Sequence, residues 1–395
     1  MTPLPSAIQA VLETLEAAGH PAYLAGGPVR DLVMGKTPAD WDIATAALPE
    51  TVQSLFPKTI PSGLRHGTVT VLTDEGPVEV TTFREDGIYQ DHRHPEQVTF
   101  GRDLKADLAR RDFTINAMAL DLRGTLTDPF GGQDDLQAKL IRCVGDPATR
   151  FKEDALRMFR ALRFSAQLGF DVDPDTLAAI WTERHLASAI SVERIRNELE
   201  KILLSPRPEH IAVVFYSGLF PGFAPHPMPT LDWLKRAPAQ KYVRWACFTA
   251  ILTGYSAIES TVFLHSLRLD NKTVHIAGTA AILGPNLPTD SVAIKHLLSR
   301  YGTEVVTVAA KVAIAYDHPA PAKVLAEILQ NGDCYSLKTL ALTGTDLIAE
   351  GHPPGAPLGD LLNQLLRHVI QHPAANERGT LLLLAQEIKH ARPPF

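Results

Sequence analysis

Tyr23-Leu24-Ala25-Gly26-Gly27-Pro28-Val29-Arg30-Asp31, followed a short step later by Asp40-Trp41-Asp42, is the stretch that decides how this chain is read. Residues 23–25 read as a strand, Gly26-Gly27 as a tight turn, and Pro28 as the first residue of a helix running to about Met34. Free backbone N–H groups at a helix N-terminus, with Arg30 one turn in, make a pocket for a triphosphate. Asp40 and Asp42 fall on an extended strand and point to one face, because side chains alternate with period two. Two carboxylates that close are unfavourable unless a cation sits between them. Hard oxygen ligands suit Mg²⁺, which bridges carboxylates to substrate phosphates. A lone D-x-D is common on solvated edges and a lone Gly-Gly is only a turn. Their order (strand, Gly-Gly, helix, D-x-D strand) is what predicts metal-assisted phosphoryl or nucleotidyl transfer.

At 395 residues the chain is too long for one ordinary core and implies two to four domains. A hydrophobic content of 45% with 21% charged residues is that of a globular protein. Cys143, Cys247 and Cys334 lie far apart with no C-x-x-C, so neither a disulfide framework nor a zinc site is indicated, and a reducing cytoplasm fits. Residues 5–19 form an amphipathic segment with Glu13 and Glu16, not a basic region before an apolar run, so no signal peptide is expected. No apolar stretch approaches a membrane span, so no membrane partner is expected. A net charge of −6 argues against indiscriminate nucleic-acid coating but leaves room for a local basic groove.

Outward from the opening stretch, residues 5–19 read as a helix with Ser6 as its cap and Ile8, Val11, Leu12 and Leu15 as its apolar stripe. A helix from Thr51 and strands over 68–72 and 78–83, turning at 74–76, follow the D-x-D. A polar segment over 84–95 has weak structural signals; its His92 and His94 read as surface loop residues. A helix from about Asp107 is expected to carry Arg110-Arg111-Asp112-Phe113-Thr114-Ile115-Asn116, leading to a strand over 118–121, and the α/β unit closes near 145. Segments 152–169, 174–184 and 191–204 read as helices. Prolines 206, 208, 221, 225, 227 and 229 suggest a boundary, and the Leu/Ala-rich remainder reads as helical.

Glu153-Asp154-Ala155-Leu156-Arg157-Met158-Phe159-Arg160-Ala161-Leu162-Arg163-Phe164 is the second informative segment. Projected as one helix, it buries Leu156, Phe159 and Leu162, with Arg157 and Arg160 at the centre of the opposite side. Asp154 and Arg163 then fall on two flanks, while Asp154 and Arg157 are i,i+3 neighbours. The plain reading is an exposed ion pair contributing tenths of a kcal/mol. The chemical reading is base selection. Cytosine and adenine both present an amino donor beside a ring-nitrogen acceptor, which an Asp acceptor beside an Arg donor suits and which guanine and uracil mismatch. Arg110 and Arg111 are too close in sequence to share one helix face, so at most one should reach a nucleotide. Asn116 is a candidate contact to a ribose hydroxyl, with capping or packing as the alternative. Glu79 is a candidate third carboxylate or an ordinary solvent-facing residue. Arg194 and Glu198 read as a structural i,i+4 pair. The 15 histidines include no His-Asp dipeptide and no H-E-x-x-H, so a helical metal-dependent hydrolase module is not expected.

Gly26-Gly27-x-x-Arg30-Asp31 with Asp40-x-Asp42, Arg110-Arg111-Asp112-Phe113-Thr114-x-Asn116-Ala117, Glu153-Asp154-x-x-Arg157-x-x-Arg160 and Glu193-Arg194-Ile195, in this order, resemble class II tRNA nucleotidyltransferases, the bacterial CCA-adding enzymes and poly(A) polymerases of the polymerase-β-like superfamily. The match is dense over 20–205 and weaker through 342–347 and 355–359. The resemblance implies an α+β multidomain chain: a polymerase-β-like nucleotidyltransferase head (1–145) followed by an all-helical neck (146–205), body (206–320) and tail (321–395). It implies that Asp40 and Asp42 hold Mg²⁺, that Gly27 and Arg30 bind the triphosphate and that Arg111 contacts the nucleotide. Asp154 and Arg157 would be the protein template for CTP and ATP, with Arg160 and Arg163 lining the site; the helical projection accommodates Arg160 more readily than Arg163. The body and tail would hold tRNA by shape and backbone contacts. The family's flexible loop corresponds to 86–95. The expected reaction is addition of CCA to the tRNA 3′ end, with A-only addition or poly(A) synthesis as alternatives and an inactive RNA-binding protein as the reading from another class. Monomer and homodimer both remain open.

Overall fold

The computed structural model describes residues 4–86, 98–220, 231–254 and 256–391. The chain forms two compact units, Met1–Ala224 and Pro225–Phe395, and the division falls within the proline-rich span 206–229.

Unit 1 opens with α1 (Ser6–Ala17), which buries Ile8, Val11, Leu12 and Leu15 as their spacing predicts. Ser6 is not its cap: Pro5 precedes the helix, and the Ser6 hydroxyl donates to Glu75 Oε1 at 2.5 Å. β1 (Ala22–Ala25) runs into α2 (Gly27–Val33) through Gly26, whose φ of +78° no side chain would adopt without strain. β2 (Asp42–Thr45), α3 (Pro49–Leu55), β3 (Thr59–Gly63), β4 (Thr68–Thr73) and β5 (Gly76–Thr82) follow. β6 (Arg84–Asp86) and β7 (Val98–Phe100) pair as a separate antiparallel ribbon. The expected 86–95 loop with His92 and His94 lies, beyond Asp86, outside the described residues.

α4 (Leu104–Ala109) is capped by Asp103, whose side chain accepts from the Lys105 N–H at 2.8 Å. It therefore starts and stops earlier than expected, and Arg110, Arg111 and Asp112 lie beyond its end. Thr114–Asn116 makes a single 3₁₀ turn before β8 (Ala119–Leu120) and β9 (Leu126–Thr127). The seven-stranded sheet has the order β3-β4-β5-β2-β1-β8-β9. All its pairings are antiparallel except β2 with β5, which run parallel with Asp42 opposite Glu79. On β5, Val78, Val80 and Thr82 are buried, so the period-two alternation puts Glu79 on the other face.

α5 (Gly132–Ala138) precedes β10 (Leu140–Ile141), which pairs in parallel with the later β11 (Asp171–Val172). Hydrogen bonds also tie Val144 to Asp112 and Thr114 to Arg142. Those helices are α6 (Pro147–Glu153), α7 (Leu156–Leu168), α8 (Pro174–Glu183), α9 (Val192–Leu203) and α10 (Ile211–Tyr216). The single helix expected over 152–169 is thus two helices. Asp154 is extended (φ −137°, ψ 103°), and its side chain accepts from the Leu156 N–H at 3.1 Å, offering the backbone an alternative to the helical ladder. α7 is buried nearly all round, Arg157 and Arg163 included at 8% exposure each, so its charged side does not face solvent as the projection suggested.

Unit 2 is helical: α11 (Lys241–Leu252), α12 (Ala257–Ser266), α13 (Asn271–Leu283), α14 (Ser291–Ala315), α15 (Ala320–Asn331), α16 (Gly344–Ala349), α17 (Ala356–Gln371) and α18 (Arg378–Ala391). α14 bends at Gly302 (φ +80°). Leu347, Leu361, Leu365, Val369 and Leu381 form the core of the last three helices. Among the described residues, no single helix is long and apolar enough to cross a membrane.

Candidate active site

A cavity of about 850 Å³ in unit 1 is lined by all eleven side chains or backbone positions singled out in the sequence. One wall is acidic. Asp42 begins β2, whereas Asp40 sits in the bend before the strand, so the two face one cavity without both being strand residues. Glu79 joins them because it is the register partner of Asp42 on the parallel strand. Burial, with Glu79 and Asp40 adding repulsion against the pull of Arg111, raises the Asp42 pKa from 3.8 to about 6. Hard oxygen donors whose mutual repulsion is this poorly relieved fit a divalent cation. Among the described residues no group of three ligands is preassembled.

The facing walls are cationic. Arg30, one turn into α2, gives Nε and Nη2 to Asp31 Oδ1 (2.9 and 2.8 Å) and Nη1 to Asn116 Oδ1 (3.0 Å). The Asn116 Nδ2 in turn donates to Asp112 Oδ1 at 3.2 Å. Asn116 is largely buried at the cavity wall and orients Arg30, with one bond at each end of its amide. Arg110 and Arg111 both line the cavity. The limit of one was drawn for a helix, and these residues lie past the end of α4. A single buried carboxylate holds them: Asp107 Oδ1 accepts from Arg110 Nε and Nη2 (3.0 and 2.6 Å), and Oδ2 from Arg111 Nη2 (3.2 Å). Burial opposes the charge on Asp107, but the two arginines keep its pKa below the ordinary value. A Cβ on Gly26 would lie 2.6 Å from Arg111 Nη1, so the glycine turn is also what lets Arg111 approach.

The remaining wall comes from α7, α9 and the break before α7. Asp154 does not pair with Arg157. Its carboxylate receives Arg194 Nη2 at 3.0 and 3.3 Å, so the Arg194–Glu198 pair read from the sequence is replaced by one between elements. Glu198 instead faces Arg163, whose Nε lies 2.7 Å away. Arg157 gives Nη1 to Glu153 Oε2 (2.7 Å) and Nη2 to the Arg110 carbonyl (2.8 Å). Arg160 grips Asp112 Oδ2 through Nε and Nη2 (2.7 and 2.5 Å). Burial works against the Asp112 carboxylate, yet Arg160 takes its pKa down to about 2. Asp154 and Arg163 reach the same cavity, which a continuous helix would forbid, because Asp154 has left the helix.

Arg194, Arg110, Asp107, Asp112 and Phe164 are site residues that sequence reasoning did not select. Asp154 before Ala155-Leu156 carries a helix-start signal that would have revealed the break, since Asp is a favoured residue there. The partner of Arg194 has no local signal.

Three family models match successive parts of the chain: the poly A polymerase head domain (residues 22–142), the probable RNA and SrmB-binding site of polymerase A (169–229) and the putative tRNA nucleotidyltransferase domain 2 (238–385). The chain is 38% identical to the CCA-adding enzyme of Levilactobacillus brevis over 383 residues, 94% of this chain and 95% of that one. It is 38% identical to the CCA-adding enzyme of Geobacillus stearothermophilus over 393 residues, covering 97% and 96%. The crystal structure of the Bacillus stearothermophilus CCA-adding enzyme in complex with CTP is similar at a TM-score of 0.85 and 34% identity, covering 99% of each chain. The Thermotoga maritima CCA-adding enzyme complexed with tRNA shares the fold at a TM-score of 0.68 and 20% identity, covering 98% of this chain and 96% of that one. With the nucleotide-sized cavity, its acidic wall and its arginine walls already in place, these likenesses make the chain a member of the CCA-adding enzymes, in the tRNA nucleotidyltransferase/poly(A) polymerase family.

Proposed function

We propose that the unit 1 cavity adds cytidine, cytidine and adenosine to the 3′ end of tRNA, drawing on CTP and ATP without a nucleic-acid template. The observation that carries this reading is the meeting, in one cavity, of the Asp40–Asp42–Glu79 wall with Arg30, Arg111, Asp154 and Arg157. The tRNA 3′-hydroxyl oxygen attacks the α-phosphorus, the bond to the β-phosphate oxygen breaks, and pyrophosphate leaves. Asp40 and Asp42 would hold Mg²⁺, with Glu79 beside them, and the chemistry it would supply is a lower pKa for the attacking hydroxyl and charge neutralisation on the phosphates. Gly27, Arg30 and Arg111 hold the triphosphate in line with the acidic wall, and Arg160 and Arg163 face it from α7.

Asp154 and Arg157 select the base. A carboxylate accepts from the amino group of cytosine or adenine, and a guanidinium donates to the adjacent ring nitrogen. Arg194 supports this role by holding the Asp154 carboxylate at 3.0 Å. A head over 1–145, a neck over 146–205, a body over 206–320 and a tail over 321–395 are the divisions that assign catalysis to the sheet and tRNA contact to the later helices. Buried, unpaired Cys143, Cys247 and Cys334 accord with a reducing cytoplasm.

The test is incubation of the full chain with Mg²⁺ and a tRNA lacking its 3′ end, given CTP alone, ATP alone, or both. Extension by two, none and three nucleotides is expected. One nucleotide from ATP alone would make it an A-adding enzyme, and a long ladder from ATP a poly(A) polymerase. No extension under any condition overturns the reading.

A further inference from the structure

Three guanidinium groups gather on one aromatic ring in unit 1. The Cζ atom of Arg163 lies 4.0 Å from the centroid of Phe164, that of Arg30 at 5.4 Å and that of Arg160 at 5.5 Å. They come from two elements, α2 and α7. Each is held from elsewhere by a different carboxylate: Arg30 by Asp31, Arg160 by Asp112 and Arg163 by Glu198. The ring is 7% exposed, and Phe113 packs against it edge-on, with centroids 5.7 Å apart at 81°. An aromatic face is negative and its rim positive, so a guanidinium within about 6 Å of the centroid is attracted, the more so when desolvated.

All three arginines and Phe164 line the cavity. Three like charges drawn to one ring repel one another, and their carboxylate partners lie on separate elements. Arg163 is the most enclosed, with 9% side-chain exposure; its contact to Glu198 is an ion pair without hydrogen-bond geometry, and neither its Nε nor its Nη2 makes a hydrogen bond among the described residues. Burial lowers the Arg163 pKa, and Arg160 and Arg30 push the same way against Glu198. The Phe164 ring attracts all three cations without neutralising them. Unlike a carboxylate, the ring takes up no N–H group of the guanidinium it holds.

We propose that Phe164 is a positioning residue for the triphosphate: its ring holds Arg30, Arg160 and Arg163 as a preassembled cationic cradle. The proposal rests on the reading of this cavity as a nucleotide site. Because the ring orders charge and does not touch the choice of base, CTP and ATP depend on it equally, and selection against UTP and GTP does not.

The experiment places 4-fluoro-, 3,5-difluoro- and 3,4,5-trifluorophenylalanine at position 164 of the full chain. Successive fluorines drain the negative face of the ring with little change in its shape. The dissociation constants of CTP and ATP, read by calorimetry, should rise stepwise and in parallel, reaching about tenfold for the trifluoro ring, or about 1.4 kcal/mol. Thermal unfolding should stay constant across the series, and Phe164→Leu should fall near its weak end. A flat series in a chain that binds CTP overturns the proposal, as does weakening that only tracks loss of thermal stability. A chain with native Phe164 that binds neither nucleotide overturns the nucleotide reading itself.

Discussion

Replacing Asp42 by Asn should abolish nucleotide addition and, in the metal-free protein, stabilise the fold around it. The rise of its pKa from 3.8 to about 6 is a free-energy difference of about 3 kcal/mol at about 1.4 kcal/mol per unit. Its sign follows from where the proton is. Below about pH 4 the carboxyl is neutral in both folded and unfolded chains, so it contributes no difference. Between about pH 4 and 6 the folded chain binds the extra proton, and stability falls as pH rises. Above about pH 6 the full penalty is present and constant. Asn keeps the shape without the charge, although it cannot reproduce every contact of a carboxylate, so we expect a net gain of about 1–3 kcal/mol at pH 8. With two compact units, unfolding need not be one step. The assay is therefore native-state hydrogen exchange of β2 and β5 amides in the presence of a chelator, compared between Asp42→Asn and the parent at pH 4 and pH 8. Protection should be higher in the variant at pH 8 and equal at pH 4, and Mg²⁺ with CTP should reverse the ranking at pH 8. Equal protection at pH 8, or a difference independent of pH, would refute the reasoning.

The Asp112 carboxyl is shifted the opposite way, from 3.8 to about 2, so it contributes stability that is present above about pH 4 and lost as pH falls from 4 to 2. Asp112→Asn should cost about 2–3 kcal/mol at pH 7 and little at pH 2, read from native-state hydrogen exchange of unit 1 amides at the two pH values. Gly26→Ala places a side chain at φ +78° and a Cβ 2.6 Å from Arg111 Nη1. A loss of about 1–3 kcal/mol in thermal stability and a several-fold higher KM for CTP are expected, the latter because Arg111 must withdraw. In unit 2, a Cβ at Gly284 would stand 2.5 Å from Val312 Cβ and 3.1 Å from the Ala309 carbonyl oxygen. Gly284→Ala should therefore destabilise the packing of α13 on α14 by about 1–3 kcal/mol while the CTP dissociation constant of unit 1 stays unchanged, measured by calorimetry of unfolding and of binding.

Features written into consecutive residues were legible in the sequence, and features made by pairing distant ones were not. The Gly-Gly turn before Arg30 and the carboxylates at Asp40 and Asp42 are set by local chain chemistry, and the structure has them in one cavity. Glu79 could be named only as a candidate, because a parallel register between β2 and β5 has no signature in either strand. β3 left no trace: at a sheet edge it exposes Ile60, Pro61 and Ser62, so the alternation that marks half-buried strands is missing. The helical period ran unbroken through 152–169, and only the side chain of Asp154, taking the Leu156 N–H, stops the ladder. Arg194 and Glu198 matched a local pairing rule worth tenths of a kcal/mol. Their tertiary partners, Asp154 and Arg163, outweigh it with more enclosed ion pairs.

Seven of the arginines lining this cavity are already paired with carboxylates. Asp31, Asp107, Glu153, Asp112, Glu198 and Asp154 answer Arg30, the Arg110–Arg111 pair, Arg157, Arg160, Arg163 and Arg194 respectively. An incoming triphosphate thus enters an exchange in which its oxygens displace or share partners that the guanidinium groups keep in reserve. Such internal rivals temper affinity for any anion, product included. When pyrophosphate departs, each of these seven guanidinium groups has a carboxylate to return to, so product release leaves none of them stranded.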